Sequence, residues 1–337
     1  MLRGTTNCKM NSRIAVIVCG TTLLTAAAVV IVLRSRRQPL PPLDVPTALS
    51  STEVRVKALE RKAEPLELGT LAVASDVVAI VCGVYDATAG RYEARNDALR
   101  SIARRRDLPK GVVAALMDYL RAADSAMRIE RVAALKNDVM NLLRNQEPPV
   151  VGLAETLIGM LEGQSPTPNS PTHRHPPAVL DYCVQHLGAM QGGIADGALR
   201  ARVHDVLVKA ARRKNMPYAG TALYSLAADR HATPQQLEEL KRLALALCEP
   251  DANPAARVAA IQLAGERGYA EALPVLRKAL PSPRRDAVID IVAIGSIGLL
   301  GDSSDIPRLS HFIKCDSRRA LAAEVAIRRI NERSGTK

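Results

Sequence analysis

Along most of the chain, apolar residues recur at three- and four-residue steps, the spacing of a helix with one buried face. In "RYEARNDALRSIARRRDLPKGVVAALMDYLRAA" this spacing predicts two helices meeting at Leu108-Pro109. In "MRIERVAALKNDVMNLLRNQEPPVVGLAETLIGMLEG" it predicts two more, meeting at Pro148-Pro149. Helical hairpins are the expected unit. Two stretches depart from this pattern. Ile14 to Leu33 carries no charge, and as a helix it would be roughly 30 Å long, matching the hydrocarbon thickness of a bilayer. Leu71 to Tyr85 is a β-branched run that reads as a strand, a buried helix or a second span. Asp76 in its middle would cost about 2.5–3.5 kcal/mol at the bilayer centre, and the run is short, so a buried helix is preferred.

The apolar run at 14–33 ends in Val-Leu-Arg-Ser-Arg-Arg rather than in a small-residue cleavage site, and it exceeds the apolar core of a secretion signal, about 7–15 residues. It therefore predicts an uncleaved single-pass anchor, with a cleaved signal as the rival reading. Arg3, Lys9 and Arg13 face Arg34, Arg36 and Arg37 across it, so the charge rule is nearly tied. A short basic tail before an N-terminal anchor favours the cytoplasmic side for the tail and the extracytoplasmic side for the rest. Four prolines in "QPLPPLDVPTALS" favour an extended spacer. A second Pro-rich break, "GQSPTPNSPTHRHPP", divides the remainder of the chain in two. The chain is thus expected to comprise a basic tail (1–13), a transmembrane helix (14–33), a spacer (34–50), a helical region (51–162), a linker (163–177) and a repeat domain (178–337). Whether 51–162 consists of divergent repeats is left open.

The repeat is visible in the sequence itself. "PYAGTALYSLAADR" from Pro217 and "PAARVAAIQLAGER" from Pro254 share the proline, three alanines, Leu226 with Leu263, and Arg230 with Arg267. Likewise "GYAEALPVLRKAL" from Gly268 matches "GDSSDIPRLSHFI" from Gly301, pairing Pro274 with Pro307 and Leu276 with Leu309. Each copy predicts a helix, a Gly-containing turn and a second helix. One such pair cannot bury its apolar faces alone, so copies must stack. The pattern resembles the HEAT-repeat family, more closely its HEAT-like branch that occurs in phycobilisome lyases. The residues that carry the resemblance are Arg257, Ala260, Leu263, Gly268, Leu273-Pro274, Leu276 and Leu280, with Gly301, Ile306-Pro307, Leu309 and Ile313. It implies an α-solenoid: stacked antiparallel helix pairs in a right-handed superhelix whose inner helices commonly bind other macromolecules.

Composition sharpens this expectation. Hydrophobic residues make up 47% of the chain but aromatics only 2%, with no Trp and a single Phe, so the core must be Ala, Leu, Val and Ile in closely packed helices. Six scattered cysteines form neither a disulfide framework nor a cysteine zinc site. His173 and His175 could in principle meet the C-x-x-H step of Cys183 and His186 at one metal, but the first two sit in a Pro-rich segment, and no metal or cofactor is expected. His204-Asp205 and His231 lack a nucleophile elbow, phosphate loop or matched carboxylate pair, and they read as solvated helix residues. Iron-dependent deoxyhypusine hydroxylases have a similar repeat architecture but depend on His-Glu dipeptides, and this sequence has none. No catalytic residue is expected. The net charge of +12 suits anionic neighbours, but with so few aromatics for base stacking a nucleic acid is not the expected partner.

One further feature is periodic. When second helices are aligned on Leu207, Leu240, Leu276 and Leu309, Lys209, Arg242, Lys278 and His311 fall two residues later in every copy. This predicts a basic ladder for an acidic segment of a protein partner; ordinary solvated positions are the plainer reading. The sequence thus favours a membrane-anchored, non-catalytic repeat scaffold. The competing class is a HEAT-like lyase-type enzyme or subunit, or a basic solenoid for nucleic acid or anionic lipid.

Overall fold

Proline, glycine and short polar residues punctuate the chain where the repeats predict. In the computed structural model, Pro177, Pro234 and Pro254 each occupy the first turn of a helix, where a missing N–H costs nothing. Thr233 and Gln236 form a reciprocal capping box, and the Asp196, Asn253 and Asp286 side chains accept from the first free backbone N–H groups of their helices. Gly268 ends one helix in the left-handed conformation, φ 74°, which a side chain would strain.

The structure describes residues 81, 92–123, 128–163, 175–280, 286–314 and 317–335, all within one compact unit, Glu67–Lys337. The predicted transmembrane helix, the spacer and nearly all of Leu71 to Tyr85 lie outside these residues. No described helix is long and apolar enough to cross a membrane. The described residues contain helices and no strand. In order these are α1 (Tyr92–Ile102), α2 (Lys110–Arg121), α3 (Ile129–Arg144), α4 (Leu153–Glu162), α5 (Pro177–Gln191), α6 (Gly197–Arg212) and α7 (Ala219–Ala227). Next come α8 (Pro234–Leu247), α9 (Pro254–Arg267), α10 (Leu273–Ala279), α11 (Ala287–Leu300), α12 (Ile306–Ser310) and α13 (Ser317–Arg333).

The packing has a simple rule. Each odd-numbered helix from α1 to α11 lies against the next odd-numbered helix, and even-numbered helices pack on this layer as hairpin partners. Helices on the two sides of the Pro-rich break touch directly, α3 and α4 against α5 and α4 against α6, so the stack runs on across it. Leu263, Leu276 and Leu309, the repeat-defining leucines, are buried. The core is mostly aliphatic, with Tyr119, Tyr218 and Phe312 buried within it.

Small residues set the spacing of the odd-numbered layer. A Cβ added to Gly188 would lie 2.5 Å from the Ser225 Cβ, and one added to Gly220 would lie 2.7 Å from the Ala259 Cβ. One on Gly265 would meet the Ser296 Oγ at 2.7 Å, and one on Gly298 the Ala326 Cβ at 2.6 Å. These glycines mark successive approaches along the layer: α5 to α7, α7 to α9, α9 to α11 and α11 to α13. The Ser296 hydroxyl donates to the Ile261 carbonyl across its contact, 2.8 Å. At these four approaches the backbones lie too close for a larger side chain to fit between them.

Cations are also drawn into the stack. Arg257 on α9 donates through Nε to the Cys248 carbonyl at the end of α8, 2.9 Å. Lys136 on α3 donates to the Leu120 carbonyl at the end of α2, 2.8 Å, and Arg95 on α1 donates through Nε to the Val81 carbonyl, 2.7 Å. All three side chains are buried. Arg257 and Lys136 satisfy carbonyls that a helix terminus leaves open and place positive charge at the negative end of its dipole.

Candidate partner-binding surface and a polar cavity

The ladder predicted from the repeat alignment lies on the even-numbered helices. Lys209 is on α6, Arg242 on α8 and Lys278 on α10, while His311 starts the 3₁₀ turn His311–Lys314 just after α12. All four are exposed. Among the described residues Lys209, Arg242 and Lys278 have no ion-pair partner within 4.0 Å.

Their neighbours in sequence behave differently. Arg212 reaches Glu239 on the next even-numbered helix at 2.7 Å, and Lys241 pairs with Glu271 just before α10. Arg277 is bidentate to the buried Asp305, 2.7 Å on each arm, and Arg202 reaches back to Glu162 at 3.0 Å. Helix geometry separates Lys241 and Arg277 from Arg242 and Lys278. At about 100° per residue, the position after a buried leucine points sideways toward the neighbouring helix, whereas the position two residues on has turned about 200°, away from the core. Lys241 and Arg277 come one residue after Leu240 and Leu276; Arg242 and Lys278 come two after. One set ties the stack together and the other is exposed to solvent.

The sulfur and histidine positions are mostly structural. Cys183 and Cys248 are free and buried, and burial pushes both thiols up to about 12, so neither is a reactive thiolate at neutral pH. His186 is buried in the core with Nε2 3.1 Å from the Asn137 Oδ1, and His175 is buried as well. His173 lies outside the described residues. Burial, with the Arg144 charge nearby, lowers the pKa of His186 to about 4. A histidine of lowered folded pKa binds its proton only in the unfolded chain between about 6.5 and 4, so its share of stability is complete above 6.5 and lost as pH falls to 4. Urea titrations of the parent and His186→Gln across this window should show the parent losing stability relative to the variant, by up to about 1.4 kcal/mol per pH unit. Parallel pH profiles would refute the assignment.

His204 corrects the sequence reading. It does not project into solvent but is only 9% exposed, on the inner side of α6, while His231 is exposed as expected. The reason is register: it sits between buried Val203 and the Val206-Leu207 pair on the apolar face of α6. Among the described residues neither of its ring nitrogens has a hydrogen-bond partner. It lines a cavity of about 370 Å³ with Gln191, Arg200, Asp229, His231 and Gln236. A single histidine without patterned company carries no signal in sequence. Among the described residues no group of three or more His, Cys, Asp or Glu is placed to hold a metal ion.

Fold and surface together define a helical-repeat stack with Lys209, Arg242 and Lys278 exposed along its even-numbered helices. Residues 241–328, from α8 into α13, match the family model of HEAT repeats, and this segment of the chain is built of HEAT repeats. A comparison with curated proteins gives no match.

Proposed function

We propose that the protein is a single-pass, membrane-anchored HEAT-repeat scaffold that binds a protein partner and performs no catalysis of its own. The observation that carries this reading is the division of labour on the even-numbered helices. Arg212, Lys241 and Arg277 are engaged in ties between repeats, while Lys209, Arg242 and Lys278 stand exposed at the repeat period, without an ion pair among the described residues. Cations that the fold does not consume, spaced by the repeat, suit an acidic segment laid along several repeats. His311 holds the equivalent position in the next copy and is exposed.

The anchor in this proposal is Ile14 to Leu33, with the repeat array on the extracytoplasmic side and the Pro-rich spacer holding it off the bilayer. After alkaline carbonate washing, the full chain should remain in the membrane fraction and a variant lacking residues 1–37 should be released. Release of the intact full chain, or a mature N-terminus near Ala28, would remove the anchor from the proposal.

A further inference from the structure

The cavity beside His204 has two unlike walls. On α6, Arg200 makes no ion pair among the described residues, and the His204 imidazole is buried with both nitrogens unpartnered. The other wall is an acceptor surface. Gln191 donates through Nε2 to the Asp229 Oδ2, 2.9 Å, which leaves Gln191 Oε1 buried with no donor of its own. Asp229 Oδ1 accepts from the His231 backbone N–H, 2.9 Å. Buried polar atoms in folded proteins are nearly always hydrogen-bonded, because leaving one unmatched forfeits the interaction it had with water. Three such atoms, unmatched among the described residues, belong to two side chains that line one cavity, and a ligand held there would supply their partners.

We infer that this cavity binds a small zwitterion of the free amino acid type. Arg200 and His204 take the carboxylate, and Gln191 Oε1 with Asp229 takes the ammonium group. A cation alone would leave Arg200 opposed by nothing, and an anion alone would leave the Gln191 acceptor unmet and face the Asp229 charge. A molecule that carries both charges satisfies both walls, and the free amino acids are the simplest of that class. The volume, about 370 Å³, falls at the small end of ordinary ligand sites, which span about 300–1,000 Å³. Both His204 nitrogens and Gln191 Oε1 are hidden from solvent, so binding turns the imidazole and the Gln191 amide toward the cavity. The site is separate from the exposed cations of the scaffold surface and does not depend on them.

The test uses the full chain in detergent micelles with ring-labelled histidine, the His204 resonance being assigned with His204→Gln. Free L-amino acids are titrated one at a time at fixed pH and ionic strength, beside propionate and ethylamine as half-ligands. At least one amino acid should shift the His204 signal saturably, with each half-ligand binding at least about 10-fold more weakly. Arg200→Gln and Gln191→Leu, each checked for unchanged far-ultraviolet circular dichroism, should weaken that binding by about 10-fold. The inference is overturned if no amino acid shifts the resonance, in which case the cavity holds water. It is equally overturned if propionate binds as well as the amino acid, or if Arg200→Gln binds unchanged.

Discussion

Leu276→Ala should destabilise the stack by about 2–5 kcal/mol, the range for truncating an enclosed leucine. Leu276 is fully buried in α10, a helix of only seven residues, and α10 packs against α11. So short a helix has little stability of its own and is held by what it buries. Leu309, its repeat equivalent on α12, is also fully buried and should behave alike. Leu321, 62% exposed on α13, supplies the contrast, since Leu321→Ala should stay within about 0.5 kcal/mol of the parent. Denaturant unfolding of the three variants checks this. A cost below about 1 kcal/mol at Leu276 would mean that the site is not enclosed.

The second large effect separates two glycines on one helix. Gly295 and Gly298 both lie in α11, three residues apart, yet a Cβ on Gly295 would meet nothing within 4 Å while one on Gly298 would stand 2.7 Å from the Ala326 Cα. No side-chain rotation relieves a clash with backbone, so α11 and α13 must move apart. Gly298→Ala should therefore cost about 1–3 kcal/mol as overpacking. Gly295→Ala should instead stabilise by up to about 1 kcal/mol, because alanine restricts the unfolded chain and favours the helix. Hydrogen exchange of the α11 and α13 amides would localise the loss in the first variant. Changes of the same sign in both would show that the two helices do not approach through Gly298.

What could be read from the sequence depends on which interactions are periodic. The leucines, prolines and turn glycines recur with the repeat, so Leu263, Leu276 and Leu309 were identifiable as core. The scarcity of aromatics pointed to close helix packing, although not to the particular contacts of Gly188, Gly220, Gly265 and Gly298. Arg95, Lys136 and Arg257 were not legible as buried groups. Lys and Arg are ordinarily solvated, and only the fold reveals that backbone carbonyls wait for them. Nor was the burial of His204 legible, because its place on the apolar face of α6 is set by valines and leucines that say nothing about a lone imidazole among them. The alignment that isolated Lys209, Arg242 and Lys278 succeeded in finding exposed positions because an offset of two residues from a buried leucine turns away from the core in every copy.

The most direct test of the scaffold proposal is charge reversal at those three positions. A partner is first identified by mild crosslinking and capture on the full chain, and its affinity is then measured against rising salt for the parent and for a variant carrying Lys209→Glu, Arg242→Glu and Lys278→Glu. Exposed pairs contribute only about 0–1 kcal/mol each and are screened over about 8 Å at physiological ionic strength, so the effect needs all three changes together. None of the three residues is buried or ion-paired among the described residues, and the variant should fold and melt as the parent does. The proposal predicts that the parent's affinity falls as salt rises, and that the variant binds at least about 10-fold more weakly with little salt dependence left. A folded triple variant that holds the partner with the parent's affinity and salt profile would contradict it.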